Sequence, residues 1–358
     1  MFNRKKIDSL FLIALVILLC ITSPSILLAQ TPLISLSNYT IPLNSKGAYV
    51  ATIHAPLPLN QLRMKIVCDT AKLFTLDKNG KIYLRKSKLV PANDGIRAYS
   101  ITVEFDKKRY EVELVKDEFL RNKVIAHRGA WRAEGVMQNS IRSFQQAVAL
   151  GCAGSEFDVW LSKDRQVVLS HDPHIGGLAV EESTAQELYT STLKGGDPVP
   201  TLIEFIKLAK QQNKTKMILE IKSSPTGRSL ELADSVLAVV HRLKAQGYIE
   251  YISFDYAVLC HIIKRDPSAR TAYLYGNKTV DELKVDGLAG LDYDFYQYRN
   301  DPTLIKRAKE AGLWTNVWTV NTVDELRKFL DSEVDWITTD EPELLLKLSH
   351  EKKLKFRL

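Results

Sequence analysis

Hydrophobic positions along this chain fall into two regimes. From about residue 31 to 118 they alternate with polar ones in short runs: GAYVATIHA, LRMKIVC, LFTLD, KIYLRK, YSITVEF and RYEVELV. A period of two sends successive side chains to opposite faces of a strand. Turn residues separate the runs, among them DKNG at 77–80 and NDG at 93–95. Short strands at this spacing predict a small all-β, antiparallel sandwich over residues 30–120.

From Lys123 onward the pattern changes to short apolar runs separated by segments of helical period. The runs are KVIAH, GSEFDVW, MILEIKS, YISF, RTAYLYG, GLAGLDY, LWTNVW and VDWITT. Between them lie SIRSFQQAVALG, TLIEFIKLAKQQ, SLELADSVLAVVHRLKA, PTLIKRAKEAG and TVDELRKFL, in which apolar residues recur every three to four positions. Gly151 and Gly312 stand where helices should stop. Strands alternating with helices in this number predict an α/β fold, a TIM (β/α)8 barrel over residues 121–358. A doubly wound open sheet is the alternative. No G-x-G-x-x-G follows the first run, so a dinucleotide-binding version has little support.

The first residues, MFNRKKIDSLFLIALVILLCITSPSILLAQ, change the picture in one respect. A basic start, an apolar stretch and a possible cut after Ala29 predict a signal peptide over 1–29 and export to the periplasm or the extracellular side of the cell envelope. An N-terminus that stays uncleaved would instead tie the protein to a membrane or cell surface. Past residue 29 three cysteines remain, Cys68, Cys152 and Cys260, and an odd number gives no closed disulfide framework. The net charge of +7 is dispersed. It suits an anionic small-molecule substrate. No basic stripe with interleaved aromatics is present, which argues against a nucleic-acid partner.

Candidate chemistry is concentrated between Val124 and Lys222. Glu156 and Asp158 are two residues apart on one predicted strand, and Glu220 and Lys222 on another, so each pair shares a strand face. In a (β/α)8 barrel the reacting end is the C-terminal end of the strands. His127, Glu156, Asp158, His171, Glu220 and Lys222 all fall at or near such ends, and so does Trp318. Three carboxylates converging on one cavity would repel one another without a cation. An all-oxygen set of this kind suits a divalent metal ion, Ca²⁺ or Mg²⁺. His127 and His171 are the candidate acid–base pair, because imidazole titrates near neutral pH. Arg128 and Lys222 can hold phosphate oxygens, and Trp318 can line the pocket for the rest of the substrate.

These residues resemble the pattern of the glycerophosphodiester phosphodiesterase family. The matching pieces occur in order: His127-Arg128-Gly129, Glu156-Phe157-Asp158, His171-Asp172, Leu219-Glu220-Ile221-Lys222, Val317-Trp318-Thr319-Val320-Asn321 and Thr339-Asp340-Glu341-Pro342. The resemblance implies a TIM barrel that uses a divalent cation to hydrolyse glycerophosphodiesters to glycerol 3-phosphate and an alcohol. It implies His127 and His171 as acid and base, Glu156, Asp158 and Glu220 as metal ligands, and Arg128 and Lys222 as phosphate clamps. One departure stands out. Gln138-Asn139-Ser140 occupies the place where the family pattern has Glu-Asn-Thr, and Gln138 cannot carry the charge of Glu. Two other activities stay open at this level: phospholipase D- or C-like cleavage of intact phospholipids, and non-catalytic capture of an anionic ligand. In the first region, LFTLDKNGKIYLRK resembles a strand pair of cadherin-type and immunoglobulin-like modules.

Overall fold

The computed structural model describes residues 34–55, 64–105, 107–193 and 196–355. The expected signal segment at 1–29 lies outside them. The alternating region forms two four-stranded sheets. One runs in the order β1 (Ser35–Leu36), β3 (Tyr49–His54), β6 (Lys81–Leu84), β5 (Phe74–Leu76). The other runs β2 (Thr40–Ile41), β8 (Lys108–Lys116), β7 (Ala98–Phe105), β4 (Met64–Cys68). Their inward residues, including Leu36, Ile53, Phe74, Ile82, Val103 and Leu114, make one apolar core. Pairing is antiparallel except between β2 and β8, which run parallel. Strand β2 is only two residues long and too short to show a direction in the sequence pattern.

The second region is a closed barrel of parallel strands. In order around it lie β9 (Val124–Ala126), β10 (Gly154–Leu161), β14 (Lys216–Ile221), β15 (Ile249–Ser253), β16 (Thr271–Tyr273), β17 (Gly290–Asp294), β18 (Trp314–Trp318) and β19 (Trp336–Thr339). Closure comes from β9, which pairs with both β10 and β19. Three short strands follow β10: β11 (Val167–Leu169), antiparallel to it, and the hairpin β12 (His174–Ile175) with β13 (Leu178–Ala179). Helices wrap the outside: α1 (Ile141–Leu150), α2 (Ala185–Tyr189), α3 (Leu202–Ala209), α4 (Ser229–Arg242), α5 (Tyr256–Arg265), α6 (Val280–Val285), α7 (Phe295–Asn300), α8 (Leu304–Ala311), α9 (Val323–Asp331) and α10 (Pro342–Lys355). Local chemistry sets their ends. Ser140, Thr201 and Thr279 each close a capping box at a helix start. Gly151 and Gly312 end α1 and α8 in left-handed backbone, as their positions predict.

Strand period then sorts the barrel's side chains. On β10, Phe157, Val159 and Leu161 face the helices and join their core, while Gly154, Glu156 and Asp158 occupy the alternate face. The lower interior is filled by Ile125, Ile218, Ile252, Ala272 and Leu274, with Trp314 and Trp336 against them. Gly290 admits Trp314 here, since a Cβ on it would lie 2.3 Å from the indole. This half of the barrel is largely a packed core, as expected for the fold, and the candidate site's polar groups lie above it.

The sandwich packs under the barrel. Val115 of β8 belongs to the barrel's own apolar cluster with Tyr248. The Asn213 amide donates to the Lys116 carbonyl at 3.1 Å, and the Leu120 N–H donates to the Lys214 carbonyl at 2.8 Å. Residues 210–216 lead into the start of β14. The sandwich therefore covers the N-terminal ends of the strands, opposite the face where their C-terminal ends open.

Candidate active site

At the C-terminal face the strands bring together every site residue predicted from the sequence. Asp158 of β10 and Glu220 of β14 are register partners in adjacent parallel strands. One oxygen from each of Glu156, Asp158 and Glu220 lies within 4.8 Å of the others, and all three residues are buried. Lys222 enters the same group. Its Nζ donates to Asp158 Oδ1 and Glu220 Oε1, both at 2.8 Å. Arg128 supplies the second cation, with Nε 3.7 Å from Asp158 Oδ2.

The turn after β9 places both His127 and Arg128. Arg128 and Gly129 adopt left-handed backbone, and the Arg128 N–H is thereby aimed at Glu156 Oε2, 2.8 Å away. Gly129 is required at the next position. A Cβ there would sit 2.3 Å from Ser143 Oγ on the first turn of α1. Asn139 is also left-handed, a conformation Asn tolerates better than most residues. Its amide brackets Asp158, donating to Oδ2 at 2.8 Å and accepting from the Asp158 N–H at 3.0 Å.

Burial and crowding set the charge states. Burial, with the Asp158 and Glu220 charges behind it, holds the Glu156 carboxyl well above its ordinary range. Glu220 is pushed up to about 7, by burial first and by Asp158 second. Burial acts upward on Asp158 too, but the charges of Lys222, His171 and Arg128 outweigh it and hold that carboxyl low. Glu156 Oε1 is buried with no hydrogen-bond partner. An unpaired buried carboxylate oxygen is costly. A hard divalent cation among three carboxylates would relieve both the repulsion and the unmet acceptor, so the donor set fits such an ion.

Each histidine is held through Nδ1. His127 Nδ1 lies 2.8 Å from Asp340 Oδ1, and Asp340 Oδ2 in turn accepts from the Asn321 amide at 2.7 Å. His127 Nε2 points toward the carboxylates, 3.9 Å from Glu156 Oε2. His171 Nδ1 lies 2.8 Å from Asp172 Oδ1. Burial lowers the His171 pKa despite the nearby Asp158 charge. The Trp318 indole N–H donates to the Asp292 carbonyl at 2.9 Å, and the ring meets Phe254 edge-on at a centroid distance of 5.5 Å. With Ile252 and Leu274 these rings form one wall of a cavity of about 140 Å³ that also contains His127, Arg128, Glu156, Glu220 and Lys222.

The individual residues read from the sequence left several partners unassigned. Asp340 and Asn321 orient His127, and Asn139 fixes Asp158. Asp292 lies in the cavity wall, its carboxylate accepting from the Asn316 amide at 2.7 Å, and burial raises its pKa to about 7. Asp340 and Asn321 did stand inside recognisable segments, T-D-x-P and V-W-T-V-N, and that was their only signal. Gln138 sits beside Arg128, its Oε1 accepting from Nη1 at 2.9 Å.

The sequence profile described as the glycerophosphoryl diester phosphodiesterase family matches residues 127–344. A glycerophosphodiester phosphodiesterase from Caldanaerobacter subterraneus subsp. tengcongensis is 26% identical over 247 residues, covering 64% of this chain and 98% of its own. A solved glycerophosphodiester phosphodiesterase from Parabacteroides distasonis superposes with a TM-score of 0.63 at 37% identity, over 66% of this chain and 99% of that one. An Oleispira antarctica phosphodiesterase solved with sn-glycerol-3-phosphate shares the fold, with a TM-score of 0.56 at 21% identity over 63% of this chain and 96% of its own.

Proposed function

The chain belongs to the glycerophosphoryl diester phosphodiesterase family, and from that premise we propose how its residues divide the work of hydrolysing a glycerophosphodiester. The protein is an enzyme of this class, which sets aside the ligand-capture alternative. The observation that carries the assignment is a pair of histidines, each tied through Nδ1 to a carboxylate, in one cavity with a buried acidic cluster.

Glu156, Asp158 and Glu220 would hold a divalent cation, with Ca²⁺ or Mg²⁺ the match for oxygen ligands. Bound there, the ion supplies positive charge to the phosphate oxygens and makes an attacking hydroxyl more acidic. Lys222 and Arg128 add donors for the non-bridging oxygens. Asp340 fixes the His127 ring so that Nε2 takes the proton of the attacking hydroxyl. As the new P–O bond forms, the bond from phosphorus to the alcohol oxygen breaks. His171 Nε2 donates the proton which that oxygen needs. The apolar wall of Ile252, Phe254, Leu274 and Trp318 packs on the carbons of the glycerol. Export, read from the first 29 residues, is part of the same proposal; the N-terminal residue of the protein recovered from cells tests it.

The decisive measurement is release of glycerol 3-phosphate from glycerophosphodiesters with Ca²⁺, with Mg²⁺ and with EDTA. Metal-dependent release that disappears in Glu156→Gln/Asp158→Asn is the expected result. Release that survives EDTA and the double variant would refute the ligand assignment. Faster cleavage of intact phospholipid than of its deacylated headgroup diester would favour the lipid-cleaving alternative.

A further inference from the structure

A second, larger cavity of about 720 Å³ meets the first at His171, which lines both. Its walls come from the Gln138–Asn139 turn, the β12–β13 hairpin and the segment around Thr192 and Gly196. These walls are anchored. A Cβ on Gly176 in the hairpin turn would lie 2.8 Å from Ser191 Oγ, so hairpin and segment are in close contact. Thr192 pairs with Pro198 in an antiparallel bridge. The size of the larger cavity falls within the roughly 300–1,000 Å³ usual for a small-molecule pocket, and the inner one falls below it. The inner cavity has room for the phosphate and the short glycerol, and the outer one for something larger.

We propose that this outer cavity receives the leaving alcohol and selects an uncharged polyol over a quaternary or primary ammonium headgroup. The inference rests on the catalytic reading above, in which His171 protonates the alcohol oxygen, since His171 is the residue shared by the two cavities. The selectivity follows from the lining. A quaternary ammonium is recognised by aromatic faces or by carboxylates. Among the described residues, this cavity has no Phe, Tyr or Trp in its walls. Its one acid, Asp172, shares Oδ1 with His171 Nδ1. At the position nearest the phosphate clamp the wall carries the neutral Gln138, whose Oε1 is taken by Arg128. That leaves its amide NH₂ as a donor, with His174 and the Thr192 hydroxyl as further groups able to bond to hydroxyls. Such a wall can bond several hydroxyls of one alcohol, and among the described residues the only counter-charge it offers a cation is one carboxylate already shared with His171.

The test uses the full-length protein with its activating divalent ion. The substrates are glycerophosphoinositol, glycerophosphoglycerol, glycerophosphocholine, glycerophosphoethanolamine and the methyl diester of glycerol 3-phosphate. The expected result is kcat/KM at least tenfold higher for the two polyol diesters than for the choline and ethanolamine diesters. Thr192→Trp, which fills the outer cavity from its rim, should cost the inositol diester at least tenfold more than the methyl diester, whose alcohol is too small to reach the wall. Gln138→Glu should move the inositol-to-choline ratio toward choline. Cleavage of the methyl diester together with equal or better use of choline would overturn the polyol assignment alone, as would an equal loss on all substrates in Thr192→Trp. Failure to cleave even the methyl diester would sink the catalytic reading and this one with it.

Discussion

The two ends of the barrel handle buried charge in opposite ways. At the closed end, Glu250 of β15 is buried between Lys216 at 3.3 Å and Arg270 at 2.8 Å. Nearby, Asp266 accepts from His241 at 2.7 Å and two bonds from Ser268. Burial pushes the Asp266 carboxyl up, but these bonds outweigh it and hold the pKa low. Acid and base there are matched. At the open end three buried carboxylates face two cations, one oxygen is left without a partner, and two of the acids hold their protons more tightly than usual. The lesson is that buried charge alone does not mark a site in this fold. The mismatch marks it, because an uncompensated acid is tolerated only where something else binds.

The largest expected effect lies at the open end. His171→Ala and His127→Ala should each lower kcat/KM by roughly 10²–10⁴-fold, about 3–5 kcal/mol in barrier, with the melting temperature little changed. Near-full turnover in His171→Ala would break the assignment. Next comes the closed end, where the pattern should invert. Glu250→Gln removes a matched acid and leaves Lys216 short of a partner, so it should cost on the order of 1–3 kcal/mol of stability. Its turnover should stay within about threefold of the parent. A collapse of turnover without loss of stability would show that the two ends are not independent.

The smallest effect sharpens the boundary between them. Asp292 lies at the edge of the open end with its pKa raised to about 7 by burial. In the unfolded chain an aspartate titrates near 3.9. Between those two values the folded protein keeps a proton that the unfolded chain has lost, so stability should fall as pH rises from about 4 to 7 and then level off. Asp292→Asn, which can still accept from Asn316, should flatten that decline in pH-dependent denaturation. An unchanged slope would mean that Asp292 is already ionised and belongs with the unmatched acids.

How far this contrast was legible beforehand depends on the kind of interaction. Glu156 with Asp158, and Glu220 with Lys222, were readable because a period of two is a local rule, and the strands obey it. The barrel was readable for the same reason, from runs of the right length in the right number. His127 with Asp340 is a different matter, since 213 residues separate them. They meet because β9 and β19 are neighbours at closure, and no periodicity encodes that contact. The outer cavity is built from turns and a two-residue hairpin, which carry no periodic signal either. The parallel pairing of β2 with β8 was hidden by the brevity of β2.

The seating of the sandwich has a geometric consequence. Val115 packs into the barrel's apolar cluster and Leu120 is hydrogen-bonded at the barrel's base, so β8 leads into the floor with little free chain between. The N-terminal module sits beneath the barrel as a pedestal, and the catalytic mouth is on the far side of the barrel from it. Diesters diffusing in the surrounding water reach that mouth without passing the N-terminal module.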